Sequence, residues 1–223
     1  ARKLGVRNIA IHKGLPFGRR SYEHSTCADV GRVAKRFPDV NFLIYHSGFV
    51  AGSPEGPYDP ARTDGIDALV TSLAQAGLKP GANVYAELGS TWRFLMRDPD
   101  SAAHALGKLF KAVGESNVLW GTDSIWYGSP QDQIQAFRAF QVAPALREKH
   151  GYPEMTPALR AKVFGLNALP LYPVPKDVLD KHLAKDRVAR DREEARERPD
   201  PTFLTHGPKT RREFMNLLAW SGA

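Results

Sequence analysis

The sequence predicts an α/β fold: a parallel sheet with helices packed outside it. Three observations predict it. Apolar strand-like runs alternate with amphipathic helical runs through the first three quarters of the chain, and that alternation is the pattern of parallel sheets. The polar and glycine-rich punctuation falls after the strands, at the end of the sheet where α/β folds keep their sites. Three of those runs share one grammar: Asn8–Gly14 delivers His12, Asn41–Gly48 delivers His46, and Asn117–Ser124 delivers Asp123.

Taken in order, residues 7–12 read as a buried strand rich in isoleucine. The loop from Gly14 to Ser25 carries Pro16, Gly18 and the pair Arg19-Arg20. Residues 26–37 read as a helix because Val30, Val33, Ala34 and Phe37 recur at helical spacing, and Pro38 stops it. Residues 41–46 form the second strand, followed by a Gly- and Pro-rich loop from Ser47 to Pro60. Residues 61–77 give a helix with Ile66, Leu69, Val70 and Leu73 on one face and Gly77 at its end. Residues 82–88 form the third strand and Gly89–Pro99 its loop. Residues 100–113 give a helix with Ala103, Leu106, Leu109, Phe110 and Val113 in register, and 117–121 the fourth strand. Each crossover is expected to be right-handed. Helical segments follow near 130–148 and 156–167.

The chain then changes character. Between Lys176 and Arg198 acidic and basic residues interleave with few apolar ones, the pattern of a solvated helix laced by i,i+4 ion pairs. The last stretch contains Thr210-Arg211-Arg212-Glu213-Phe214-Met215, which superficially matches a twin-arginine export motif. Export signals lie at the amino end, so a short amphipathic helix docking Phe214, Leu217, Leu218 and Trp220 is the better reading. The expected division is 1–172 for the α/β part and 173–223 for a charged helical extension and tail.

Composition narrows the function. Of the 223 residues 42% are hydrophobic and 25% charged, the balance of a soluble globular protein with an ordinary core. No apolar run approaches the roughly 18 residues of a transmembrane helix. The chain opens Ala-Arg-Lys with neither a methionine nor a signal peptide, which reads as a cut end. Cys27 is the only cysteine, so no internal disulfide forms and a reducing, cytoplasmic setting is expected. The net charge of +7 invites a nucleic-acid reading, but the basic residues are scattered with no aromatic-interleaved stripe. The expected partner is a small-molecule substrate, not nucleic acid or membrane. A homo-oligomer is left open.

The candidate chemistry rests on three residues. Side chains alternate along a strand, so His12 shares a face with Ala10 and Asn8, His46 with Ile44 and Phe42, and Asp123 with Gly121 and Leu119. If each is the last inward position of its strand, all three meet at one mouth. Two imidazoles and a carboxylate suit Zn²⁺ or a similar divalent ion, with a place left for water. Such an ion lowers the pKa of its water and polarises a carbonyl, and a nearby aspartate can move protons. Taken singly, a histidine at a strand end is more often structural than a ligand.

His-Lys-Gly at 12–14, His-Ser-Gly at 46–48, Gly-Thr-Asp-Ser at 121–124 and the segment Phe164-Gly165-Leu166-Asn167-Ala168 together resemble the amidohydrolase 2 family, including the aminocarboxymuconate-semialdehyde decarboxylase-like enzymes. The resemblance covers about residues 5–172. It implies that the chain is the C-terminal part, about strands five to eight, of a (β/α)8 TIM barrel, followed by the helical extension. It implies that His12 and Asp123 bind the metal, most simply Zn²⁺, and that His46 binds a second metal or positions the attacking water. The family's strand-one His-x-His pair has no counterpart, because no His-x-His occurs in the chain.

Further residues are candidates for substrate contact. Glu87 lies on the third strand, with its face left open by strand parity. Trp92 and Arg93 follow in the loop, where surface packing competes with substrate contact. Arg19, with Arg20, could receive a substrate carboxylate, or be an ordinary surface arginine. Lys13 is expected to face the helix layer. His24, His104, His150, His182 and His206 are expected in loops or on polar helix faces without a catalytic role, and Cys27 as a small core residue.

Three functions remain. The first is a metal-dependent hydrolase in which metal-activated water attacks a C–N or C–O bond. The second is a metal-dependent non-oxidative decarboxylase of an unsaturated or aromatic carboxylic acid. The third is an inactive fragment or a non-enzymatic binding module.

Overall fold

A computed structural model describes residues 1–16, 22–198, 208 and 210–221. The chain divides into two units, Ala1–Pro173 and Val174–Ala223.

In the first unit β1 (Asn8–His12), β2 (Asn41–Tyr45), β3 (Val84–Glu87) and β4 (Val118–Leu119) run parallel in the order β1-β2-β3-β4. Helices α1 (Tyr22–Ser25) and α2 (Val30–Arg36) connect β1 to β2, and α3 (Gly65–Ala76) connects β2 to β3. Between β3 and β4 lie α4 (Thr91–Leu95) and α5 (Pro99–Val113). After β4 come α6 (Ser124–Tyr127), α7 (Gln131–Ala139), α8 (Pro144–His150) and α9 (Pro157–Phe164). The single helix expected over 130–148 is thus two. Pro144 disfavours a helical conformation at the residue before it, and Ala143 is extended at φ −54°, ψ 138°.

The main core fills one face of the sheet. Phe42, Ile44, Val84, Ala86 and Val118 pack with Leu69 and Leu73 of α3 and with Leu106, Leu109 and Phe110 of α5. Helix α5 is set by local rules: the Asp98 side chain accepts from Ser101 N, Pro99 occupies the first turn, and Gly114 follows the end. On the opposite face a smaller cluster joins Leu43 of β2, Leu119 of β4 and Leu171, with Tyr85 of β3 against it. Successive strand residues therefore serve two environments, helix layer and open face.

Asparagines organise the amino ends of the strands. Asn41 Nδ2 donates to Asn8 Oδ1 at 2.8 Å, and Asn8 Nδ2 donates to the Leu171 carbonyl at 2.6 Å. Asn83 Nδ2 reaches the carbonyls of Ala34, Phe37 and Val40 at the end of α2, and Asn117 Nδ2 those of Ala82 and Val84. This end of the sheet is closed by structural hydrogen bonds, which leaves the carboxyl end for chemistry.

The second unit contains α10 (Lys176–Ala184), α11 (Arg187–Glu197) and α12 (Arg211–Ser221). The charged stretch is two helices rather than one. Asp186 interrupts it and caps α11, accepting from Val188 N at 2.9 Å and Ala189 N at 3.2 Å. Lys176–Asp180 and Arg187–Asp191 are the i,i+4 ion pairs the interleaved charges anticipate. Arg211 and Arg212 open α12, on which Phe214, Leu217 and Trp220 are exposed. Among the described residues no helix is long and apolar enough to cross a membrane.

Candidate active site

The carboxyl ends of the four strands bring His12, His46, Glu87 and Asp123 toward one rim, but not by simple alternation. His12 is the last residue of β1 and pairs in register with Tyr45. The face expected for His46, shared with Phe42 and Ile44, is the helix-side core. His46 reaches the rim because the backbone turns left-handed: φ is +65° at His46 and +53° at Ser47. Such conformations cost on the order of 1 kcal/mol or more for a non-glycine residue and persist only where the surroundings hold them. Here Thr91 Oγ1 donates to the His46 carbonyl at 2.8 Å, and Ser47 Oγ donates to the Glu87 carbonyl at 2.7 Å. The His12 and His46 rings then meet edge to face, 4.5 Å between centroids.

Asp123 arrives in the same way. Strand β4 ends at Leu119, and Asp123 sits at φ +51° before α6. Its Oδ2 accepts from Ser90 Oγ at 2.6 Å and lies 3.6 Å from His46 Nδ1. Ser90, itself at φ +54°, shares a 2.9 Å hydrogen bond with the Tyr127 hydroxyl. All the non-glycine residues with positive φ among the described ones, Leu15, His46, Ser47, Ser90 and Asp123, follow strand ends. Backbone strain is concentrated where the polar side chains converge, the distribution that functional sites show.

The hydrogen bonds assign protons. His46 Nδ1 lies 2.6 Å from the Gly89 carbonyl. A carbonyl only accepts, so Nδ1 carries the proton and Nε2 keeps the lone pair in the neutral ring. Burial, and then the neighbouring His46, hold His12 below the ordinary histidine pKa, with Asp123 pulling the other way. Burial pushes Glu87 up to about 7, against the amides of Gly89 and His46, which favour its charged form.

The remaining candidates fall in different places. The Glu87 carboxyl is turned onto backbone amides: Gly89 N donates to Oε1 at 2.8 Å and His46 N to Oε2 at 3.4 Å. Trp92, expected in a loop, lies in α4 and is 1% exposed, its Nε1 donating to the Gln133 carbonyl and its ring against Phe137 and Phe140. Apolar burial outweighs loop position there. Arg93 donates to Asp132 and lies over the Tyr127 ring, so its charge is already matched. Arg19, Arg20 and His206 lie outside the described residues. Lys13 does face the helix layer, bonded to the His24 carbonyl and paired with Asp29 at 2.9 Å. Cys27 is fully buried, with its thiol pushed up to about 12. His104 departs from expectation: it is buried, with Nδ1 3.0 Å from the Tyr152 hydroxyl.

A cleft of about 600 Å³ opens over the rim, lined by His12, His46, Ser90 and Asp123 and walled by Tyr45, Phe94, Trp126 and Tyr127. Ser90 and the aromatic wall were not singled out from the sequence. The signal for Ser90 was its place in the Gly-Ser-Thr punctuation after β3. The aromatics lie at the end of β2 and in the one-turn helices α4 and α6, which are too short to show a period. A second cavity, about 530 Å³ and lined by Leu73, Lys108 and Tyr152, contains none of the converging rim residues.

Two imidazoles and a carboxylate facing one cleft are donors of the right chemistry for a divalent ion. Among the described residues, however, no group of three or more His, Cys, Asp or Glu is arranged to hold one. His46 Nδ1 is committed to Gly89 and Asp123 Oδ2 to Ser90. The donors converge without closing into a coordination set.

The family model described as amidohydrolase matches residues 1–174. The chain belongs to the amidohydrolase family. Comparison with curated proteins and with solved structures gives no match. Amidohydrolases are metal-dependent enzymes, hydrolases and lyases among them, and they generally use divalent metals. The matched stretch spans all four strands and the rim they carry.

Proposed function

We propose that this chain carries the catalytic rim of a metal-dependent hydrolase that attacks a C–N or C–O bond of a small molecule. The observation that supports it most is the convergence of His12, His46 and Asp123 on one cleft within an amidohydrolase chain. His12 and Asp123 would hold the divalent ion, most simply Zn²⁺. When bound, the ion supplies Lewis acidity toward water and a carbonyl.

The chain's own residues do the rest. His46, with Nδ1–H held by the Gly89 carbonyl, offers Nε2 to take a proton from the attacking water and return it to the departing nitrogen or oxygen. Ser90 keeps Asp123 aimed at the cleft, and Tyr127 keeps Ser90 in place. Tyr45, Phe94, Trp126 and Tyr127 shield the substrate from bulk water. The substrate contacts expected of Glu87, Trp92, Arg93 and Arg19 remain part of the proposal only for Arg93 and Arg19. The Glu87 carboxyl is bonded to amides, and Trp92 is buried in the core.

We further propose that β1 to β4 are strands five to eight of a (β/α)8 barrel and that the remaining strands complete the metal's donors. Two features support this. Among the described residues β1 and β4 are the two outer strands of the sheet, each with one strand neighbour, and the donor set does not close.

A second reading is favoured by the aromatic wall: non-oxidative decarboxylation of an unsaturated or aromatic acid, with His46 delivering a proton to the carbon that loses CO₂. Assaying the full-length protein against amides, esters, lactones and aromatic acids separates the two, since only the second releases CO₂. In either case His46→Ala is expected to lower turnover about 10²- to 10⁴-fold. Turnover unchanged in that variant, or no turnover of any class by the metal-loaded protein, contradicts the proposal and favours a non-catalytic module.

A further inference from the structure

Glu87 ends β3 on the face that carries Tyr85, and a carboxylate there could have faced the cleft. Instead it is drawn beneath the rim. Gly89 N donates to Oε1 at 2.8 Å and His46 N to Oε2 at 3.4 Å. The space it occupies is reserved by two glycines. A Cβ at position 121 would overlap Oε1, and one at position 89 would lie 2.7 Å from it. Neither Gly89 nor Gly121 has a positive φ, so backbone conformation does not require glycine at either position. What both provide is room for this carboxyl group.

Gly89 joins Glu87 to His46. Its N–H is held by Glu87, and its carbonyl receives His46 Nδ1–H at 2.6 Å. We infer that Glu87 is a positioning residue: by anchoring the Gly89 peptide it fixes the His46 ring as the Nδ1–H tautomer, with Nε2 left for the substrate. The catalytic meaning of this rests on the reading of His46 as proton carrier; the tautomer itself does not.

The test is ¹⁵N NMR of the histidine rings in the metal-free, full-length protein. The unmodified protein is expected to show His46 as Nδ1–H. Glu87→Gln keeps an acceptor for Gly89 N–H and is expected to retain that signature. Glu87→Leu keeps the volume but strands the amide, and Gly121→Ala displaces the carboxyl without removing it. Both are expected to lose the single tautomer. His46 in the Nε2–H form in the unmodified protein, or as Nδ1–H in Glu87→Leu and Gly121→Ala, overturns the inference. Should those two variants fail to fold, the unmodified protein still decides the matter through the hydrogen-bond scalar coupling between Gly89 N and the Glu87 carboxyl carbon. Its presence supports the inference and its absence overturns it. A Glu87-dependent tautomer together with full activity in His46→Ala would sink the proposed function and leave this inference standing.

Discussion

Ser90 Oγ donates to Asp123 Oδ2 at 2.6 Å, joining the loop after β3 to the loop after β4. Neither residue lies in a strand, and both hold a positive φ, +54° at Ser90 and +51° at Asp123. The bond keeps Asp123 oriented over the cleft. Ser90→Ala is therefore expected to weaken divalent-metal affinity about 10- to 100-fold, the usual cost of losing a partner behind a ligand. Titration of the full-length protein with Zn²⁺ or Co²⁺ checks this. An unchanged affinity would show that Asp123 does not depend on Ser90.

His12 titrates under opposing neighbours. Burial and His46 lower its pKa, and Asp123 raises it. In the metal-free protein its NMR midpoint is expected below the ordinary 6.5. Asp123→Asn removes the raising influence and should lower the midpoint further, whereas His46→Ala should raise it. Because the folded pKa lies below the unfolded one, His12 contributes a penalty at low pH that is relieved as pH rises toward 6.5.

Glu87 gives the opposite sign. Its pKa rises from 4.5 to about 7 on folding, so between those values the folded chain binds more protons than the unfolded one. Stability from this group falls as pH climbs through that window, and the full penalty stands above 7. The shift corresponds to a ceiling of about 3 kcal/mol. Glu87→Gln should flatten the decline, read from urea midpoints at pH 5 and pH 8. Parallel declines in the two proteins would contradict the assignment.

Lys108 is buried between two buried carboxylates, 2.5 Å from Glu55 Oε2 and 2.9 Å from Asp67 Oδ1. Removing it leaves both carboxylates without their closest cation. Lys108→Met is expected to destabilise the fold by about 3–5 kcal/mol, measured by denaturant unfolding, with little direct effect on the distant rim.

Much of this architecture was legible in the sequence. The periodicity of Leu106, Leu109, Phe110 and Val113 gave α5, and the apolar runs ending at His12 and at His46 gave β1 and β2. What alternation could not give was the direction of His46 and Asp123. Their left-handed turns occur at residues that carry side chains, where no glycine marks them, and contacts with Thr91 and Ser90 hold them in place. The fate of Trp92 and His104 was hidden for a related reason: Gln133 and Tyr152, which hold them, are far away in sequence. The break before α8 has a local cause in the sequence, since Pro144 holds Ala143 out of the helical conformation.

The most direct measurement is the metal content of the full-length protein beside its His12→Ala and Asp123→Asn variants, each shown to be folded. Stoichiometric divalent metal in the unmodified protein and substantial loss in both variants is the predicted result. Equal occupancy in all three would contradict a shared metal-binding rim.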